Sequence, residues 1–161
     1  MNQSEPDRQT KHILLVEDTL TQAMYMQHIL EQGGFKVTLA RSGEKALTAL
    51  GENKDFDLVL TDINMPGMDG YELVNEVKNT RPIPCILLLT AQLSEEVQKI
   101  LASVADGLVF KSNNGDKFLA QVNLALTKLA EQGEGTVGKG QKERRLESFF
   151  TLAYQQIIDL L

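Results

Sequence analysis

The sequence predicts an α/β fold, an open and doubly wound sheet of five parallel strands with five helices. Three observations predict it. Short apolar runs alternate with amphipathic stretches five times between His12 and Ala130. Two of those runs, Leu58-Val59-Leu60 and Ile86-Leu87-Leu88-Leu89, are apolar without interruption, as strands covered by helices on both faces are. The chain has 161 residues, 42% of them hydrophobic, which suits one domain with a short appendage and argues against disorder.

The elements follow in order. His12 to Val16 reads as a strand that ends on two acids, Glu17 and Asp18. Thr19 to Leu30 reads as a helix. Thr19 and Gln22 form a capping-box pattern, and Ala23, Met26, Ile29 and Leu30 give one apolar face. Gly33 and Gly34 stop it, since glycine accepts a left-handed cap. Lys36 to Leu39 is a short strand, and Ser42 to Leu50 a second helix. Phe56 to Thr61 is a third strand, ending at Asp62. Asp69 and Glu72 cap a third helix, Gly70 to Lys78, which Pro82 and Pro84 keep from continuing. Cys85 to Thr90 is the fourth strand and Ser94 to Ser103 the fourth helix. Leu108 to Phe110 is the fifth strand. Gly115 to Ala130 is the fifth helix, with Phe118, Val122, Ala125 and Leu129 on one face.

Residues 131–143 carry four glycines and read as a flexible linker. Residues 144–161 read as an amphipathic helix. Leu146, Phe150, Ala153, Ile157 and Leu160 recur at spacings of 4, 3, 4 and 3, a coiled-coil seam over two heptads. This segment either docks on its own domain, pairs with a second copy, or begins a further domain.

Composition excludes several classes. With 16 basic and 22 acidic side chains the net charge is −6. That disfavours duplex DNA or an anionic membrane as partner. One cysteine, Cys85, excludes a disulfide framework and a four-Cys zinc site. The longest apolar run is about five residues, far short of the ~18 needed to cross a bilayer. The polar start lacks the apolar centre of a signal peptide. A soluble, cytoplasmic location is expected.

Sheets of this kind bind ligands beyond the carboxyl ends of their strands. Strand one ends in Glu17 and Asp18, strand three in Asp62, strand four in Thr90 and strand five in Lys111. Three carboxylates, a hydroxyl and an ammonium therefore gather on one rim. Clustered carboxylates repel unless a cation is present, and hard oxygen donors suit Mg²⁺. A lone aspartate can attack phosphorus, giving an aspartyl phosphate, and Lys111 and Thr90 would contact the oxygens of the transferring group. Each residue alone also has a bland reading, as helix cap or solvated loop residue. The bland readings weaken jointly, because all five groups share one edge. They also leave unexplained the turn-rich loop Asn64-Met65-Pro66-Gly67-Met68-Asp69-Gly70 after Asp62.

The chain resembles the response-regulator receiver domains of two-component signalling. The motifs are Ile-Leu-Leu-Val-Glu17-Asp18, Thr61-Asp62-Ile-Asn-Met-Pro66-Gly67-Met-Asp-Gly70, Leu-Thr90-Ala91 and Phe110-Lys111, at intervals of 44, 28 and 21 residues. The resemblance covers residues 11–130. It implies a flavodoxin-like (βα)5 receiver that is a signalling switch and not a metabolic enzyme. It implies Asp62 as phosphoacceptor, with phosphate from the histidine of a sensor kinase or phosphotransfer protein. Glu17, Asp18, Asp62 and the backbone carbonyl of Asn64 would hold Mg²⁺. Lys111 would contact the acyl phosphate and Thr90 would hydrogen-bond it, moving its loop toward the site.

Two positions depart from the family's pattern. Ser112 stands where a proline, often cis, usually follows the lysine, and a cis bond here would cost about 3–4 kcal/mol. Leu108 stands where an aromatic residue usually lies three before the lysine, and Phe110, which adjoins the lysine, does not simply replace it. Output through the fourth helix and fifth strand is expected to be altered.

Three other functions fit less well. An aspartyl phosphohydrolase needs a second acid two residues after the nucleophile, where this chain has Asn64. A flavin carrier needs a phosphate-binding first loop, where Glu17 and Asp18 repel phosphate. A degenerate receiver used only for protein docking would not need the acid set.

Overall fold

The computed structural model describes residues 10–90 and 93–132. The elements alternate strictly: β1 (His12–Val16), α1 (Leu20–Gln32), β2 (Lys36–Ala40), α2 (Gly43–Glu52), β3 (Leu58–Asp62), α3 (Gly70–Thr80), β4 (Cys85–Leu89), α4 (Glu95–Val104), β5 (Gly107–Phe110) and α5 (Gly115–Gln132). All four strand pairings are parallel, in the order β2-β1-β3-β4-β5. The order reverses direction between β1 and β3, so a crevice opens where Glu17 and Asp62 end their strands.

Strand alternation divides the core in two. Leu14, Val16, Val59, Leu87 and Leu89 point to one face, packed with Leu50 of α2, Leu73 and Val77 of α3, and Leu101 of α4. Ile13, Leu15, Leu58, Leu60, Ile86, Leu88 and Val109 point to the other, packed with Met26 and Leu30 of α1 and Phe118 and Val122 of α5. β1, β3 and β4 are buried along their whole length, whereas β2 at the edge is mostly part-exposed. At the opposite edge the Gln121 side chain pairs with both the N–H and the C=O of Phe110, at 2.9 and 3.0 Å. That occupies backbone groups an edge strand otherwise leaves open.

Some helix ends differ from expectation. Thr19 occupies the N-cap position of α1, but its side chain accepts no capping hydrogen bond. The capping box predicted from Thr19 and Gln22 does not form, because the Gln22 side chain is engaged elsewhere. Gly34, at φ +94°, supplies the left-handed turn after α1, while Gly33 stays at negative φ. Ser42, Asp69 and Ser94 do cap α2, α3 and α4, accepting from the N–H three residues on. α5 runs to Gln132, two residues past its predicted end. The rest of the predicted linker and the predicted helix at 144–161 lie outside the described residues.

Candidate functional site

The rim at the carboxyl ends of the strands brings the predicted acids together. Glu17, Asp18 and Asp62 each place a carboxylate oxygen within 4.8 Å of the other two. Glu17 is fully buried, Asp62 is 6% exposed and Asp18 is half-buried. Lys111, just beyond β5, reaches in. Its Nζ lies 2.8 Å from Glu17 Oε1 and 3.3 Å from Asp62 Oδ2. Thr90, immediately after β4, is exposed and lines a cavity of about 280 Å³ with Lys111, Gln22, Tyr25, Ser112 and Asn113. Asn64 is exposed on the loop after β3.

Backbone geometry holds Asp62 still. Asp62 Oδ1 accepts from Ile63 N–H at 2.9 Å, which fixes the carboxylate plane. Gly70 N–H donates to Ile63 C=O at 2.8 Å. A Cβ at Gly70 would run into the Asp62 carbonyl oxygen and the Ile63 Cα, so α3 can butt against the end of β3 only with glycine there. Gly67, at φ +78°, makes the turn between them, a conformation that side chains oppose. Glu44 of α2 accepts from Met68 N–H at 3.2 Å and ties this loop to the neighbouring helix.

The electrostatics are unbalanced. Three carboxylates face one ammonium. Burial, and the neighbouring Asp62 carboxyl, push the Glu17 carboxyl up from 4.5 to about 7, against the pull of Lys111. Glu17 Oε2 is buried and accepts no hydrogen bond. A buried oxygen with no donor, in a crowded set of hard oxygen ligands, fits a divalent cation such as Mg²⁺.

Three contributors escaped the sequence reading. Gln22 accepts from Lys111 Nζ at 2.7 Å. Arg41, noted only as the residue after the second strand, donates from Nε and Nη2 to the Asp18 carbonyl oxygen at 3.2 and 2.7 Å. It thus holds the β1–α1 loop. Glu44 is the third. Each contacts a motif residue from outside the motif, across 23 to 89 residues of chain, so no local spacing signals them. The turn after Lys111 has no cis bond, and Ser112 is accommodated. Ser112 Oγ accepts from Asn114 N–H, and Asn114 Oδ1 accepts from Asp116 and Lys117 N–H, starting α5. Leu108 and Phe110 share one face of β5 and pack with the α4 side of the core, so an aromatic ring stands on that face two residues along from the predicted gap.

The fold and rim together define a phosphotransfer-signalling module. The chain belongs to the response regulator receiver domain family, whose model matches residues 13–123. The family is a signalling module, not a metabolic enzyme. The two-component response regulator ORR5 of Oryza sativa subsp. japonica is 31% identical over 103 residues, covering 62% of this chain and 77% of that protein. The sensor histidine kinase GacS of Pseudomonas protegens is 31% identical over 142 residues, covering 82% of this chain but 15% of the kinase. Among solved structures, the response regulator TrrA of Thermotoga maritima, in complex with Mg²⁺–BeF, is 31% identical with a TM-score of 0.61, over 72% of this chain and 99% of that one.

Proposed function

We propose that this receiver is a phosphoacceptor, with Asp62 taking a phosphoryl group from the phosphohistidine of a sensor kinase or phosphotransfer protein. One observation carries the reading. Asp62 ends β3 with two further carboxylates within 4.8 Å and the Lys111 ammonium 3.3 Å from its Oδ2. An Asp62 oxygen forms the new O–P bond as the donor's P–N bond breaks, and the electron pair of that bond stays on the imidazole. Ile63 N–H holds the carboxylate in one plane during the attack. Lys111 offsets charge on the phosphoryl oxygens, and the Thr90 hydroxyl donates to one of them. Glu17, Asp18, Asp62 and the Asn64 carbonyl would hold Mg²⁺, which when bound supplies further positive charge opposite those oxygens. The solved complex of TrrA with Mg²⁺–BeF, and the match within a sensor kinase, support this choice of cation and donor.

Phosphorylation then favours one of two conformations, because the contacts to Thr90 and Lys111 exist in only one. The proposed setting is cytoplasmic; no helix among the described residues is long and apolar enough to cross a membrane. Residues 144–161 are proposed to pair two copies, which light scattering on chains with and without them checks. The main test is direct. The protein is incubated with Mg²⁺ and acetyl phosphate and weighed intact. One phosphoryl adduct is expected, absent in Asp62→Asn. No adduct on the wild type, or an equal adduct on the variant, overturns the reading.

A further inference from the structure

The Lys111 ammonium has three N–H donors. Glu17 Oε1 takes one at 2.8 Å and Gln22 Oε1 another at 2.7 Å, which leaves the third toward Asp62 Oδ2 at the longer 3.3 Å. Gln22 therefore competes with the acids for the donors of the lysine. Its side chain belongs to α1, is exposed, and was free to complete a capping box with Thr19. It gives up that local role for a partner 89 residues away. Gln22 and Lys111 both line the cavity that Thr90 also lines.

We propose that Gln22 is a positioning residue that holds Lys111 back from Asp62. The inference rests on the phosphoacceptor reading for its kinetic part only. Without an acceptor at position 22, an ammonium already bonded to Glu17 at 2.8 Å closes its 3.3 Å separation from Asp62 as well. A lysine drawn in this way occupies the space of an incoming cation and of a phosphoryl oxygen. With Gln22 in place, the ammonium stays near Asp62 at 3.3 Å without closing onto its oxygen. Gln22 touches no reacting atom and acts through Lys111.

The full chain is tested as wild type, Gln22→Met and Gln22→Glu. Methionine keeps the length of the side chain and removes the acceptor, while glutamate keeps an acceptor in the same place. The first measurement is Mg²⁺ alone, titrated against thermal unfolding without phosphodonor. Gln22→Met is expected to need about threefold more Mg²⁺ for half-effect, and Gln22→Glu no more than wild type. The second is the rate of adduct formation from acetyl phosphate at saturating Mg²⁺, expected to fall about fivefold in Gln22→Met and less than twofold in Gln22→Glu. Unfolding temperatures without Mg²⁺ should agree among the three proteins, since the residue is exposed. Wild-type values for Gln22→Met in both measurements overturn the proposal, as does equal impairment of both variants. A wild type that takes no phosphate overturns the phosphoacceptor reading instead, and the Mg²⁺ titration then decides the role of Gln22.

Discussion

Replacing Glu17 by glutamine should make the metal-free protein more stable. The carboxyl is fully buried, one oxygen has no donor, and its pKa stands at about 7 against 4.5 for the free side chain. Ionising it in the folded state therefore costs on the order of 3 kcal/mol, at about 1.4 kcal/mol per tenfold change. The sign follows from proton binding. The folded state holds the proton more tightly, so the contribution of Glu17 to stability is greatest below pH 4.5 and is lost as pH rises to about 7. Glutamine removes that loss. The pull of Lys111 on the carboxylate is already contained in that pKa, so nothing further is subtracted for it. The net expectation is a gain of about 3 kcal/mol at pH 8 in EDTA, vanishing near pH 4.5. The assay is denaturant unfolding at both pH values, with and without Mg²⁺. Mg²⁺ should stabilise the wild type and do little for Glu17→Gln. A variant less stable than wild type at pH 8 in EDTA would refute the reasoning, because it would show that Lys111 fully compensates the buried charge.

Three other outcomes are expected. Gly70→Ala drives a methyl group into the backbone of Asp62 and Ile63, and should cost about 3 kcal/mol, measured by thermal unfolding, with slower adduct formation. Phe118→Ala empties a fully buried site between α5 and the sheet, and should cost about 3–5 kcal/mol in denaturant unfolding while leaving the Mg²⁺ midpoint unchanged. His12, buried beside Phe56 and near Lys36, has its pKa held below 6.5, so folding of the wild type is penalised as pH falls below that value. In His12→Gln the stability gap to wild type should therefore narrow between pH 7.5 and pH 5.5.

Strands were legible because burial on both faces demands unbroken apolar runs, and β3 and β4 have them. The clustering of Glu17, Asp18 and Asp62 was legible because parallel strands bring all their carboxyl ends to one edge. Long-range side-chain partnerships were not. Thr19 and Gln22 have the spacing of a capping box, yet a lysine 89 residues away claims the glutamine. Local spacing carries no information about that competition. Arg41 was invisible for a different reason. Its target is a backbone carbonyl, which every residue has, so no residue type marks it. The end of α5 was misplaced because Glu131 and Gln132 are good helix formers directly before Gly133, and composition alone had joined them to the glycines.

The close seat of Gly70 against Asp62 has a mechanical consequence. That side of the crevice is a fixed jaw: α3 abuts β3, Asp69 caps it, and Glu44 pins the loop to α2. The opposite jaw is Thr90 and Lys111, exposed or reaching in from strand ends. On the proposed phosphoacceptor reading, a phosphoryl group lodged between unequal jaws would move the looser one. The displacement would then pass to the β4 and β5 edge, on the face where Leu108 and Phe110 meet α4, with the β3–α3 side as the anvil against which it is made.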